Sequence, residues 1–163
     1  MRAADIWDVA ILGAGPAGTA CAIALARSVV ERICLIEPTR ARGRGRTAIG
    51  ETIPPDTRLL LDRLGLWQAF LDEGHERCLG TCSAWGSDRL GYNDFLLNPQ
   101  GSGWHLDRAR FDDFLLRRAR EAGATMLAAP GTALAGTRFV VDATGRASAS
   151  HAEPGRGRYR STG

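Results

Sequence analysis

The stretch Asp8-Val9-Ala10-Ile11-Leu12-Gly13-Ala14-Gly15-Pro16-Ala17-Gly18, read together with Glu37, decides the fold. An apolar run enters G-x-G-x-x-G, a helix-forming segment follows from Thr19 to Arg27, and a second apolar run, Arg32-Ile33-Cys34-Leu35-Ile36, ends on the acid. Strand, glycine turn, helix, strand and terminal acid together predict a βαβ unit that binds a dinucleotide. Gly13 allows the tight turn, Gly15 leaves the backbone bare for a pyrophosphate, and Gly18 lets the helix approach the strand. Pro16 suits the first helical turn, where its missing N–H costs little. The helix N-terminus offers unpaired N–H groups to phosphate oxygens. Glu37 is placed to accept hydrogen bonds from a ribose, and its charge disfavours a 2′-phosphate there, so NAD or FAD fits and NADP does not. A plainer reading of the same glycines, tight packing without a nucleotide, stays open at this point.

Outward from this unit, the arginine- and glycine-rich run Pro38 to Arg46 reads as a solvated loop. Pro54 and Pro55 precede a helix from Asp56 to Leu64, with Leu59, Leu60 and Leu64 expected on its buried face and Gly65 ending it. A short helix is expected from Trp67 to Leu71. Short strands are expected at Gly80–Trp85, Tyr92–Leu97 and Trp104–Leu106, their aromatic residues mostly in a sheet core. Asp107 to Ala122 reads as a helix capped by Asp107, its apolar face built from Phe111, Phe114, Leu115 and Ala119. Strands follow at Thr125–Ala128 and Phe139–Val141, the latter running into Asp142-Ala143-Thr144-Gly145. The polar tail from His151 to Gly163 reads as disordered. The expected organisation is a dinucleotide-binding domain over residues 1–150, with inserted strands at about 79–106, and the tail 151–163.

Composition removes several function classes. All 21 basic residues of the 163 are arginine, so lysine Schiff-base and P-loop chemistry are excluded. A net charge of +3 is too mild to imply nucleic acid by itself, and the arginine-rich run 40–46 lacks the interleaved aromatics that stack on RNA bases. No apolar run approaches the roughly 20 residues of a membrane span, and no secretory signal is visible. Four cysteines without C-x-x-C spacing suit reduced thiols in a cytoplasmic protein. His75, Cys78 and Cys82 make a poor metal set, so no metal is expected.

GAGPAG with Glu37, GETIPP at 50–55, WHLDRARFD at 104–112 and VVDATG at 140–145, in this order, resemble the FAD-dependent monooxygenase superfamily, which includes aromatic hydroxylases, tryptophan halogenases and geranylgeranyl reductases. GETIPPDTRLLLDRLGLW with SAWGS and GWHLDRARFD is similar to flavoproteins encoded with tryptophylquinone enzymes. The resemblance implies an α/β fold, a Rossmann-like FAD-binding domain of the glutathione-reductase/hydroxylase type. It also implies FAD as cofactor, NAD(P)H as electron donor, and hydroxylation through a peroxyflavin of a small aromatic substrate or a tryptophan-bearing polypeptide. Carried over by position, Gly13, Ala14, Gly15, Pro16, Ala17 and Gly18 would line the pyrophosphate, and Glu37 would hold the adenosine ribose. Glu51 and Thr52 would lie near the flavin ring, Arg108 would contact the cofactor, and Asp142 and Gly145 would pack beside its site. The plainer alternative for Arg108 is a surface pair with Asp112.

The departures are specific. No Gly-Asp follows Gly145, Ala48 stands where the family carries an arginine, and the link from Ala124 to Arg138 is short for the usual hairpin. They imply a truncated chain, for which a non-catalytic FAD-binding remnant is an alternative, as is a geranylgeranyl-reductase-like or halogenase-like flavoprotein. The family halogenases relay their oxidant through a lysine, and this chain has none.

Overall fold

A computed structural model describes residues 7–37, 51–86, 89–128, 134 and 137–145. The expectations for the loop 38–46 and for the tail therefore lie outside the described residues. The chain divides into two compact units, Met1–Arg46 with Leu115–Gly163, and Thr47–Phe114.

The first unit is built on β1 (Val9–Leu12), α1 (Pro16–Ala26), β2 (Ile33–Ile36), β8 (Thr125–Leu127) and β9 (Phe139–Asp142). Its four strands form one sheet in the order β8-β2-β1-β9, all parallel. Central strands of a parallel sheet are covered on both faces, so they read as unbroken apolar runs. All four residues of β2 are buried, as are Val9, Ala10 and Ile11 of β1. Ala10, Cys34 and Ile36 form a core to which Trp7, Leu12 and Leu127 add. Helix α1 buries Gly18, Thr19, Ala22 and Ile23, residues small enough for a close approach to the sheet. Burial raises the pKa of both the Cys21 and the Cys34 thiols, which behave as small apolar groups.

The second unit contains β3 (Glu51–Ile53), α2 (Thr57–Arg63), α3 (Trp67–Asp72), β4 (Glu76–Cys78), β5 (Gly80–Ala84), β6 (Leu90–Asp94), β7 (Gly103–Leu106) and the start of α4 (Arg108–Glu121). Strands β3, β7 and β4 form an antiparallel sheet, and β5 pairs with β6 as a separate hairpin. Phe70 is fully buried and meets Trp67, Trp104, Phe111 and Phe114, mostly in edge-to-face contacts. Asp107 Oδ1 accepts the backbone N–H of Arg110 at 3.1 Å, the expected N-cap of α4. Gly123, at φ +103°, follows the helix and donates its N–H to the carbonyl of Arg120.

Three expectations are corrected. In α2 the buried residue is Leu61, while Leu59 and Leu60 are exposed, because the short helix turns a different stripe inward. Trp85 and Tyr92 are 93% and 77% exposed rather than in a sheet core, since nothing among the described residues covers the β5–β6 hairpin on that face. The strand expected at 92–97 ends at Asp94, whose Oδ1 accepts the N–H of Leu96 at 2.8 Å and turns the chain.

Candidate functional site

In the first unit the three motif glycines do different jobs. Gly13 sits at φ +103°, and a Cβ there would lie 2.5 Å from the carbonyl oxygen of Ala143. A Cβ at Gly18 would collide with the carbonyl oxygen of Gly13 and press on Ile11 of β1 at 3.3 Å. The protein's own packing therefore requires both glycines. Gly15 differs. Its φ of −76° and ψ of −175° are open to any residue, and a Cβ there would meet nothing within 4 Å. Gly15 is also the N-cap of α1, which has no side-chain cap, no acid in its first turn, and Pro16 at its start. The free N–H groups of this turn and the helix dipole favour an anion. Ala14, Gly15 and Pro16 are partly exposed and Ala17 is exposed.

Neighbouring strand ends converge on this turn. The Gly13 N–H donates to the carbonyl of Ile36 at 2.8 Å, next to Glu37 at the end of β2. Glu37 in turn donates its own N–H to Leu127 at 3.1 Å. On the other side Ala143 donates to Leu12 at 2.7 Å. Asp142 Oδ1 accepts from the Thr144 N–H at 3.0 Å and hydroxyl at 2.6 Å, and Gly145 follows at φ +67°. The segments containing Gly13–Gly18, Glu37 and Asp142–Gly145 thus share the same end of one parallel sheet, where open α/β sheets bind their ligands.

The second unit brings together Glu51 and Arg108, which lie 57 positions apart in sequence. Arg108 Nη1 donates to both Glu51 oxygens, at 2.5 and 2.6 Å, and its Nε donates to Asp112 Oδ1 at 2.8 Å. Burial opposes the guanidinium charge, but the hydrogen bonds it donates to Asp112 and Glu51 outweigh it and hold the pKa above its ordinary value. The pairing with Asp112 was the plain alternative offered by the sequence; the Glu51 contact was not legible there. It arises because β3 and β7 pair with Glu51 opposite Leu106, two residues before Arg108. The same register sets Thr52 opposite His105, with Thr52 Oγ1 3.1 Å from His105 Nδ1. His105 is a polar site neighbour that motif reading passed over, and only the strand register reveals it. Among the described residues no group of three or more potential ligands is arranged to hold a metal.

The FAD binding domain family matches residues 7–146. The chain belongs to this family. The FAD binding domain is 34% identical over 88 residues to the flavin-dependent halogenase gsfI of Penicillium aethiopicum, a match covering 54% of this chain and 16% of that protein. It superposes on the myxobacterial chondrochloren halogenase CndH with a TM-score of 0.61 at 28% identity, over 74% of this chain and 28% of the other. It also superposes on p-nitrophenol 4-monooxygenase PnpA of Pseudomonas putida DLL-E4, with a TM-score of 0.58 at 19% identity, over 75% and 31% of the two chains; that likeness is of fold alone. The chain thus spans about a sixth of the curated relative it matches, and under a third of these two solved structures. The halogenase–monooxygenase superfamily and the Rossmann-like α/β fold stand on these matches. The residues present fit FAD: the space beside Gly15 is what a diphosphate needs, and no group among the described residues fills it. Among the described residues no helix is long and apolar enough to cross a membrane.

Proposed function

We propose that this chain is the FAD-holding part of a flavin-dependent oxidoreductase of the halogenase-like branch, acting on an electron-rich aromatic substrate. The observation that carries the cofactor reading is Gly15, a glycine demanded neither by its backbone angles nor by any neighbour among the described residues. Gly13 to Gly18 would hold the diphosphate on backbone N–H groups, and Glu37 would accept the adenosine ribose hydroxyls. Asp142 and Gly145 would bound the same pocket. Glu51, Thr52 and Arg108 would serve the flavin end of the cofactor. Bound FAD supplies the redox chemistry, with NAD(P)H as the proposed reductant, and the protein supplies orientation and shelter from water. Both relatives named above that exceed 25% identity are halogenases by name, which supports the halogenase-like assignment.

A second reading, hydroxylation of a small aromatic or of a tryptophan in a partner polypeptide, is favoured by one observation: the chain contains no lysine through which an oxidant could be relayed. Product mass separates the two readings, since halogenation replaces a hydrogen by halogen and hydroxylation inserts oxygen. The cofactor reading is tested by purifying the chain with added FAD and repeating the measurement with Gly15→Val. The parent chain is expected to retain yellow flavin and the variant to lose it while keeping its circular dichroism. A variant that retains FAD as tightly as the parent removes the diphosphate from Gly15.

A further inference from the structure

The β5–β6 hairpin lies wholly within the second unit, and its residues alternate in character. The cross-strand register puts Cys82 opposite Tyr92 and Ala84 opposite Leu90 on one face, and Thr81 opposite Asn93 and Ser83 opposite Gly91 on the other. One apolar face and one polar face are the pattern of a strand pair that is covered on one side. Yet every residue of both strands is exposed, on the apolar face as on the polar one. The apolar surface continues past the strands, since Leu79 and Leu96 line one cleft with Cys82 and Tyr92. Leu79, Trp85, Tyr92, Leu96 and Leu97 are each at least 72% exposed. An aromatic side chain can bury roughly 150–250 Å², so two of them with these leucines approach the ~800 Å² per partner of a standard protein interface.

The shape of the face selects its occupant. The large residues Leu90 and Tyr92 both stand on β6, and the small residues Cys82 and Ala84 both stand on β5. A two-fold axis parallel to the strands would lay β6 of one copy over β5 of the other, so that each large row rests on the partner's small row. Charge does not oppose this pairing. Asp94, at the end of β6, is the one charged residue in the two strands, and its Oδ1 already accepts the N–H of Leu96. We infer that the apolar face of the β5–β6 hairpin is a self-association surface, covered by the same face of a second copy of this chain. The inference is independent of the FAD reading.

Sedimentation equilibrium of the purified chain, from micromolar to near-millimolar concentration, is expected to show monomer passing to dimer. Tyr92→Thr, which keeps a strand-forming residue, is expected to weaken pairing by about tenfold or more. Asn93→Thr, on the polar face, is expected to leave it unchanged. Of the cysteines only Cys82 is exposed. Packed sheets lie about 10 Å apart, so a bismaleimide of that reach should capture the dimer of the parent chain and fail with Cys82→Ser, which still pairs. Amides of β5 and β6 should exchange fast in dilute, monomeric protein and more slowly as copies pair. A chain that stays monomeric throughout overturns the inference and leaves the face to a different polypeptide. Association that survives Tyr92→Thr, or that gives no Cys82 cross-link, runs through another surface such as the outer strand β9 and overturns it too. Equal losses in Tyr92→Thr and Asn93→Thr would trace the effect to the hairpin's own integrity and overturn it as well.

Discussion

At Gly15 the backbone would accept any side chain, and only the empty space beyond it calls for glycine. That separates Gly15, which we propose faces a ligand, from the packing-driven Gly13 and Gly18, a distinction the motif alone does not make. Glu37 is the second residue to which we assign a chemical role. Glu37→Ala is expected to weaken FAD by about 1.5–3 kcal/mol, the value of a hydrogen bond to a charged acceptor, as read by flavin titration. ADP should weaken by the same factor, because the ribose in question is the adenosine one. His75 belongs to stability rather than to the cofactor. It is buried against Phe70 and Phe111, and its Nε2 makes no hydrogen bond among the described residues. Burial, and then the nearby Arg110 charge, lower its pKa from the ordinary 6.5, against the smaller raising influence of Glu73 and Asp107. Below pH 6.5 the unfolded chain therefore takes up a proton that the folded chain refuses. Stability should fall as the pH drops from there toward the lowered folded value, and be insensitive to this group above 6.5. Urea midpoints across that range should show the loss in the parent and a smaller slope in His75→Leu.

Among the elements, β1, α1, β2 and α4 were legible because each buries a stripe with a clear period or an unbroken apolar run. Phe111, Phe114, Leu115 and Ala119 are all buried as their spacing predicts, and Leu116 joins them. Strands β3 and β4 were not legible. Each is three residues long, Glu51-Thr52-Ile53 leads into two prolines, and Glu76-Arg77-Cys78 has no apolar alternation. Both exist because β7 lies between them, a long-range pairing that local sequence does not encode. The Glu51–Arg108 contact depends on that pairing and was hidden for the same reason. The close contact of α1 with β1 gives a test at this scale. Gly18→Ala drives a methyl into the Gly13 carbonyl, so a loss of about 1–3 kcal/mol or more is expected in chemical denaturation.

Across the whole molecule protection is uneven. The parallel sheet of the first unit has two central strands buried almost throughout, whereas all five residues of β5 and all five of β6 are exposed. Two-stranded hairpins are marginal in water without a covered face. Amide hydrogen exchange should therefore be slowest in β1 and β2, and fastest among paired strands in β5 and β6, with the β3–β7–β4 sheet between. Equal protection of the hairpin and the central strands would mean that Trp85, Leu90 and Tyr92 are covered in solution.

Among the described residues strand β9 is the last in its sheet, hydrogen-bonded to β1 on one side only, with Phe139 and Val140 more than half exposed. Such a margin is adhesive. It offers an open backbone edge and greasy side chains together, with neither a proline nor a lysine in Phe139–Asp142 to turn away a foreign strand. Concentrated preparations should cloud or form oligomers through this border, and handling them will depend on shielding it.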